Sequence, residues 1–301
     1  MSIDRGLRPL QIPGYEYTPP SLLVNGGFEI WQRGGGTFST DLVFSADEWR
    51  LNVNTGAGDT LSVDRSTASK FGVYAALMNY SRTSFVAYLE QGVESWASLE
   101  GQWLTFSAWL YSNTSDTVRL RIWDWDGTSE SAGSSLHTGT GWEHITVSKL
   151  IRSGLTSYSA WPHSFGIRVG MVFEQSVTGA RIDGATLVVG KYPEGVPYVP
   201  LDPATDLNRA RRYCIYHNAF QDGTLFSGGD VTSGGAYWAT FTFPTIMEST
   251  PTITMTNVAN SNFPATVGGA AGVSNKAFYE GRVANGTGRG YFGSTVLAEV
   301  T

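Results

Sequence analysis

The chain has 301 residues, room for two modest domains, and its hydrophobic fraction of 41% supports a packed core. Charged residues make up only 15% and the net charge is −6; no basic run exceeds Arg209, Arg211 and Arg212, which speaks against a phosphate-binding face and hence against a nucleic-acid partner. The single Cys214 excludes a disulfide framework within the chain and a cysteine-based zinc site, and no apolar run approaches the ~18 residues of a membrane span.

Low charge, 36 glycines and 13% aromatic residues, ten of them tryptophan, favour short strands joined by tight turns over helices. Residues 1–20 lack periodicity, carry Pro9, Pro13, Pro19 and Pro20, and read as an extended arm, either a loose terminus or a docking arm that orders against a partner. The start has no signal-peptide apolar stretch, so synthesis in the cytoplasm is expected.

From residue 21 to about 195 strand signals are dense. Leu22-Leu23-Val24 leads into the turn residues Asn25-Gly26-Gly27. Leu104, Phe106, Ala108 and Leu110 alternate with Thr105, Ser107, Trp109 and Tyr111. Val118, Leu120, Ile122 and Asp124 alternate with Arg119, Arg121, Trp123 and Trp125. His144 to Val147 is a further strand, and from Phe165 to Phe173 the apolar positions oppose Gly166, Arg168, Gly170 and Val172. Strands at this spacing predict a β-sandwich. Residues 196–220 read as a proline-bearing linker and a short helix: Asp202 as N-cap, Pro203 at the first helical position, Asp206 beside the positive end of the dipole, and Leu207, Ala210 and Cys214 on one face. Residues 221–301 turn β again, with the best strands at 236–244 and 252–256. The predicted fold is thus all-β, a sandwich followed by a short helix and a smaller C-terminal β domain.

Several segments carry a resemblance. Leu22 to Gly34 with Ala46-Asp47-Glu48-Trp49-Arg50, Gly101 to Trp109, Gly141-Trp142-Glu143-His144 and Ala180 to Leu187, in that order, resemble the carbohydrate-binding-module-like domains of phage tail fibre and other virion structural proteins. Leu207 to Tyr216 is similar to the short helix that follows in such proteins, with its cysteine and tyrosines reordered, and Phe243 to Ile253 is similar to a strand–loop–strand of their C-terminal domains. The resemblance implies a jelly-roll sandwich in a fibre, spike or decoration protein of a virion. It also implies a homo-oligomer such as a trimer and attachment to a particle; the arm of residues 1–20 is then expected to dock on other virion proteins, and the sandwich to contact a host surface glycan. It implies as well a structural calcium joining the first and last strands, for which Glu29 and Asp183 stand at the matching positions; calcium wants six to eight oxygens and the sequence displays two carboxylates.

Sugars are held by aromatic faces on their C–H groups and by charged or amide side chains on their hydroxyls. Trp109, Tyr111, Arg119, Arg121, Trp123, Trp125 and Arg168 lie on the faces opposite the aliphatic ones and are the glycan-binding candidates, to be exposed, packed under loops, or covered by a neighbouring protomer. Asp124-Trp125-Asp126-Gly127 reads as a hairpin turn rather than a calcium loop. No required cofactor is expected. For catalysis, Glu90, Glu94, Glu100, Asp124, Asp126 and Glu174 qualify by type alone; no spacing singles out an acid pair, and the four histidines show no metal-binding spacing, so a binding rather than an enzymatic role is expected.

Overall fold

The computed structural model describes residues 19–53, 58–217, 230–261, 263, 270–289 and 291–300. The expected docking arm lies outside them up to residue 18. Ten strands build the first unit: β1 (Arg50–Asn52), β2 (Thr60–Ser66), β3 (Ala75–Ser81), β4 (Ala87–Gly92), β5 (Trp103–Ser112), β6 (Val118–Trp125), β7 (Ser129–Gly133), β8 (Gly141–Leu150), β9 (Ile167–Phe173) and β10 (Val177–Val189). They pair antiparallel in two five-stranded sheets, ordered β1-β4-β9-β6-β7 and β2-β3-β10-β5-β8, and stack as a jelly-roll β-sandwich.

The in–out alternation produces this architecture. Leu104, Phe106, Ala108 and Leu110 of β5 and Ile182 and Leu187 of β10 meet Val118, Leu120 and Ile122 of β6 and Ile167, Val169, Met171 and Phe173 of β9 in one core from which water is excluded. Each large aliphatic side chain so buried contributes roughly 1.5–3 kcal/mol before entropy is counted. Asp124 ends the inner row of β6, and its buried carboxylate is tolerated because Lys149 Nζ at 3.2 Å and Arg152 at 2.7 Å neutralise it. The β6–β7 connection is the expected hairpin, with Gly127 at φ 103° in its turn. Leu22 to Val24 makes no strand; the Leu22 N–H instead donates to Leu187 O at 2.8 Å and the Val24 N–H to the Gln91 side chain.

Helix α1 (Pro203–Ala210) starts as expected, with the Asp202 carboxylate accepting the Thr205 N–H at 3.1 Å. Asp206 does more than meet the dipole: its Oδ1 accepts the Asn25 N–H at 3.0 Å, which ties the helix to the sandwich. Cys214, expected on the helix face, is not helical. The chain turns through Arg211 to Tyr213 and enters β11 (Cys214–His217), which pairs with the last strand. The tertiary pairing overrides the local apolar spacing.

After β11 come β12 (Asp230–Val231), β13 (Ala236–Thr242), β14 (Thr252–Ser261), β15 (Ala270–Ala271), β16 (Ala277–Val283), β17 (Gly288–Arg289) and β18 (Tyr291–Glu299). They form the sheets β11-β18-β14, β13-β16-β15 and the pair β12-β17. Tyr213, Ile215, Phe243, Met247, Phe278, Val296 and Ala298 fill the core of this smaller β unit.

The two units share a polar junction. Gln32 Nε2 donates to Cys214 O at 2.8 Å, Arg33 pairs with Asp47 and Glu299, and Arg212 pairs with Glu94 at 2.8 Å and with Glu248. The His163 ring lies 4.7 Å from Tyr213, and its Nε2 is 2.9 Å from Glu48 Oε2. Burial pushes the Asp47 carboxyl up to about 6 against the pull of Arg33.

Candidate functional site

Because β4, β9 and β6 are neighbours, their outward residues align in rungs across the sheet. One rung runs Asn52, Tyr88, Val172, Arg119; the next Arg50, Glu90, Gly170, Arg121, Gly133; the third Gly92, Arg168, Trp123, Ser131. Gly170 sits at the middle of this outer face, and a Cβ there would stand 2.5 Å from Leu89 O, so the floor admits no side chain at that point.

Glu90 is the electrostatic centre. Its carboxylate is fully buried, accepts from Arg50 at 3.0 Å and Asn52 at 3.2 Å, and pairs with Arg168 on its other oxygen. The Arg168 guanidinium lies 4.5 Å from the Trp123 ring centroid, 4.7 Å from Trp161 and 5.2 Å from Tyr88, a cation sandwiched by three aromatics. Arg50 also donates to Ala160 O at 2.6 Å, which anchors the 156–165 loop over this end of the sheet.

That loop changes the status of two expected site residues. Trp123 and Arg168 are only 4% and 7% exposed, and what covers them is the chain's own loop through Trp161 and Tyr158, not a neighbouring protomer. The half-buried residues left on this face include Asn52, Tyr88, Arg119, Arg121 and Trp125, with Tyr158 stacked on Trp125 at 4.1 Å and 22°. Arg119 and Arg121 converge on Glu174 at 2.9 and 2.8 Å.

Trp109 and Tyr111 do not belong to this group. They lie on β5, in the other sheet, and point from the opposite side of the sandwich. Lys70 Nζ sits 4.2 Å above the Trp109 ring and the Arg181 guanidinium 4.5 Å from that of Tyr111, with His144 and Trp142 alongside. The seven candidates thus divide into a set of two and a set of five on opposite faces.

Glu29 and Asp183 also lie on that opposite side, next to the 69–74 loop. Asp183 Oδ2 accepts the N–H groups of Lys70 and Phe71 at 2.7 and 2.8 Å, and Glu29 Oε1 those of Val73 and Tyr74 at 2.6 and 3.1 Å. The oxygens expected to hold a calcium ion engage backbone donors here; among the described residues no group of three or more His, Cys, Asp or Glu could hold a metal. Burial pushes the Asp183 carboxyl up to about 6, against these hydrogen bonds and with a further push from the Glu29 charge.

The six carboxylates considered for catalysis are each engaged. Glu90 and Asp124 are locked in buried ion pairs, Glu174, Asp126 and Glu94 pair with arginines, and Glu100 caps the N–H groups of Gly154 and Leu155 at 2.9 Å. Sequence reasoning missed Tyr88, Glu90's central position, Tyr158 and Trp161. Alternation across Ala87 to Gln91 could have placed the first two; the aromatics Tyr158 and Trp161 within the Ser- and Pro-bearing stretch before Phe165 were the sole sign of the others.

No family model matches the chain, and no curated protein does. Solved structures with related architecture include the C-terminal family 22 carbohydrate-binding module of Clostridium thermocellum Xyn10B, at 16% identity over 50% of this chain and 92% of that one, with a TM-score of 0.38. The CBM22-1 xylan-binding domain of Paenibacillus barcinonensis Xyn10C matches at 10% identity over 59% of this chain and 99% of its own, with a TM-score of 0.39. The enzymatically active domain of bacteriophage CBA120 tailspike protein 4 matches at 12% identity over 56% of this chain and 21% of that one, with a TM-score of 0.34.

Proposed function

We propose that the protein is a non-catalytic structural and adhesion protein of a phage-like virion that holds a host-surface glycan on the outer face of the β1-β4-β9-β6-β7 sheet. The observation that carries the glycan reading is the layered construction of that face. A buried Arg50–Glu90–Arg168 trio, clamped by Tyr88, Trp123 and Trp161, fixes a rigid floor, and above it Trp125 and Tyr158 offer flat apolar rings beside the Arg119–Arg121–Glu174 cluster. Rings take the C–H faces of a sugar, and the guanidinium forks and carboxylate take its hydroxyls. Placement on a virion is supported by the order of motifs between residues 22 and 253, and weak single contacts would be summed by many copies on one particle.

The test is a glycan panel read with the full chain. Trp125→Ala and Tyr158→Ala each lower affinity at least about tenfold, corresponding to roughly 1.4 kcal/mol, while Trp109→Ala on the opposite face does not. Equal loss from all three substitutions overturns the site. New reducing ends on incubation with polysaccharide overturn the non-catalytic reading. A freestanding carbohydrate-binding protein remains the second reading, favoured by the self-contained sandwich core; immuno-electron microscopy of particles decides between the two.

A further inference from the structure

The small sheet β13-β16-β15 buries an ion pair beside its inward aromatics and leaves large apolar side chains outside. Its inner side, toward the C-terminal core, carries the ion pair Glu280–Arg282 at 2.7 Å, only 1% and 4% exposed, with Ser294 hydrogen-bonded to both. Its outer side carries Trp238, Tyr279 and Val283, which are 59%, 45% and 54% exposed. Register places Trp238 opposite Gly281, Thr240 opposite Tyr279 and Ala236 opposite Val283. No outward residue of β13 or β16 is charged, although the chain as a whole carries a net charge of −6.

We infer that this face packs against the same face of a second copy of the chain. An uncharged face that exposes three large apolar side chains among small residues and threonines marks an interaction site rather than a solvated one, and three features select the occupant. A foreign protein is chosen and oriented by complementary charge, and this face has none to offer. Copies of an acidic chain repel one another wherever their carboxylates meet, and the charge-free face is where two copies approach without that cost. A symmetric contact needs a self-complementary surface, and an indole directly across from a glycine provides a projection beside a hollow. This deepens the multivalent reading above by naming the surface through which copies associate; it does not depend on the glycan.

Light scattering and sedimentation velocity on the full chain test it. The wild type is expected to be a homo-oligomer at micromolar concentration, and Trp238→Glu and Thr240→Arg each weaken association at least about tenfold, with circular dichroism unchanged. Mixing Trp238→Glu with Trp238→Lys chains restores association, because opposite charges then face each other; this outcome separates a lost interface from a lost fold. A monomeric wild type, or variants that keep the wild-type mass, overturns the inference, as does a monomer that loses sugar binding on Trp238→Glu, which would make the face a glycan platform. Glycan affinity per chain at the Trp125 face is measured in parallel and stays unchanged, so failure of one reading is visible without the other.

Discussion

At the scale of single residues, neighbouring tryptophans on one strand have opposite roles. Trp123 lies beneath the loop and beside Arg168, so Trp123→Ala opens a cavity and removes one face of the cation's enclosure. A loss of about 3–5 kcal/mol in urea unfolding is expected. Trp125 is half-buried and contacts Tyr158 and Trp161, so Trp125→Ala should cost much less stability and show itself in ligand titration. Arg168→Ala leaves the fully buried Glu90 carboxylate with one arginine, Arg50, and the Asn52 amide on the same oxygen, and about 3–5 kcal/mol of destabilisation is expected; the double variant with Glu90→Gln should recover part of it, since the uncompensated charge is then gone.

At the scale of elements, the 69–74 loop is held to the sandwich by the N–H groups that Asp183 and Glu29 receive. Asp183→Ala releases two of those and the Gly184 N–H together, and limited proteolysis should then cut within 69–74 far faster than in the wild type, with cleavage elsewhere unchanged. The strands themselves are legible in the residue order. Alternation in β5, β6 and β9 assigns the inward and outward side chains within these strands, because one buried face imposes a period of two, but Phe165, counted with the inward row of β9, lies before that strand and packs on the C-terminal core. What alternation within a strand cannot say is which sheet the strand joins, and so Trp109 and Trp123 look like one surface in the sequence when they lie on two. The 156–165 loop is illegible there for a different reason: its contacts, Arg50 to Ala160 O and Arg168 to Trp161, are long-range and leave no local period. Cys214 is misplaced by its spacing, because four residues from Ala210 fit a helix equally well, and only pairing with Glu299 decides otherwise.

At the scale of the whole molecule, the junction between the sandwich and the C-terminal unit is pH-sensitive, as is Asp183 beside the 69–74 loop, whose carboxyl is also pushed up to about 6. Asp47 titrates near 6 when folded and near 3.8 when not, so the folded chain binds its proton more tightly. The stability that this proton contributes is complete below about 4 and is lost as pH rises through about 6. Thermal melts of Asp47→Asn should therefore decline less between pH 4 and 7 than those of the wild type; an identical slope would rule out Asp47 as the titrating group. The same junction determines how force travels. The 156–165 loop presents Tyr158 and Trp161 to the outer face, and five residues after Tyr158 it leans His163 on Tyr213, with Phe165 packed on the C-terminal core. A tug on a bound surface thus enters the rear half of the molecule through stacked rings as well as along the backbone that passes the 190–202 prolines. On the proposed reading, a particle held to its host through this face would load both routes at once, and the tether would yield only when both had parted.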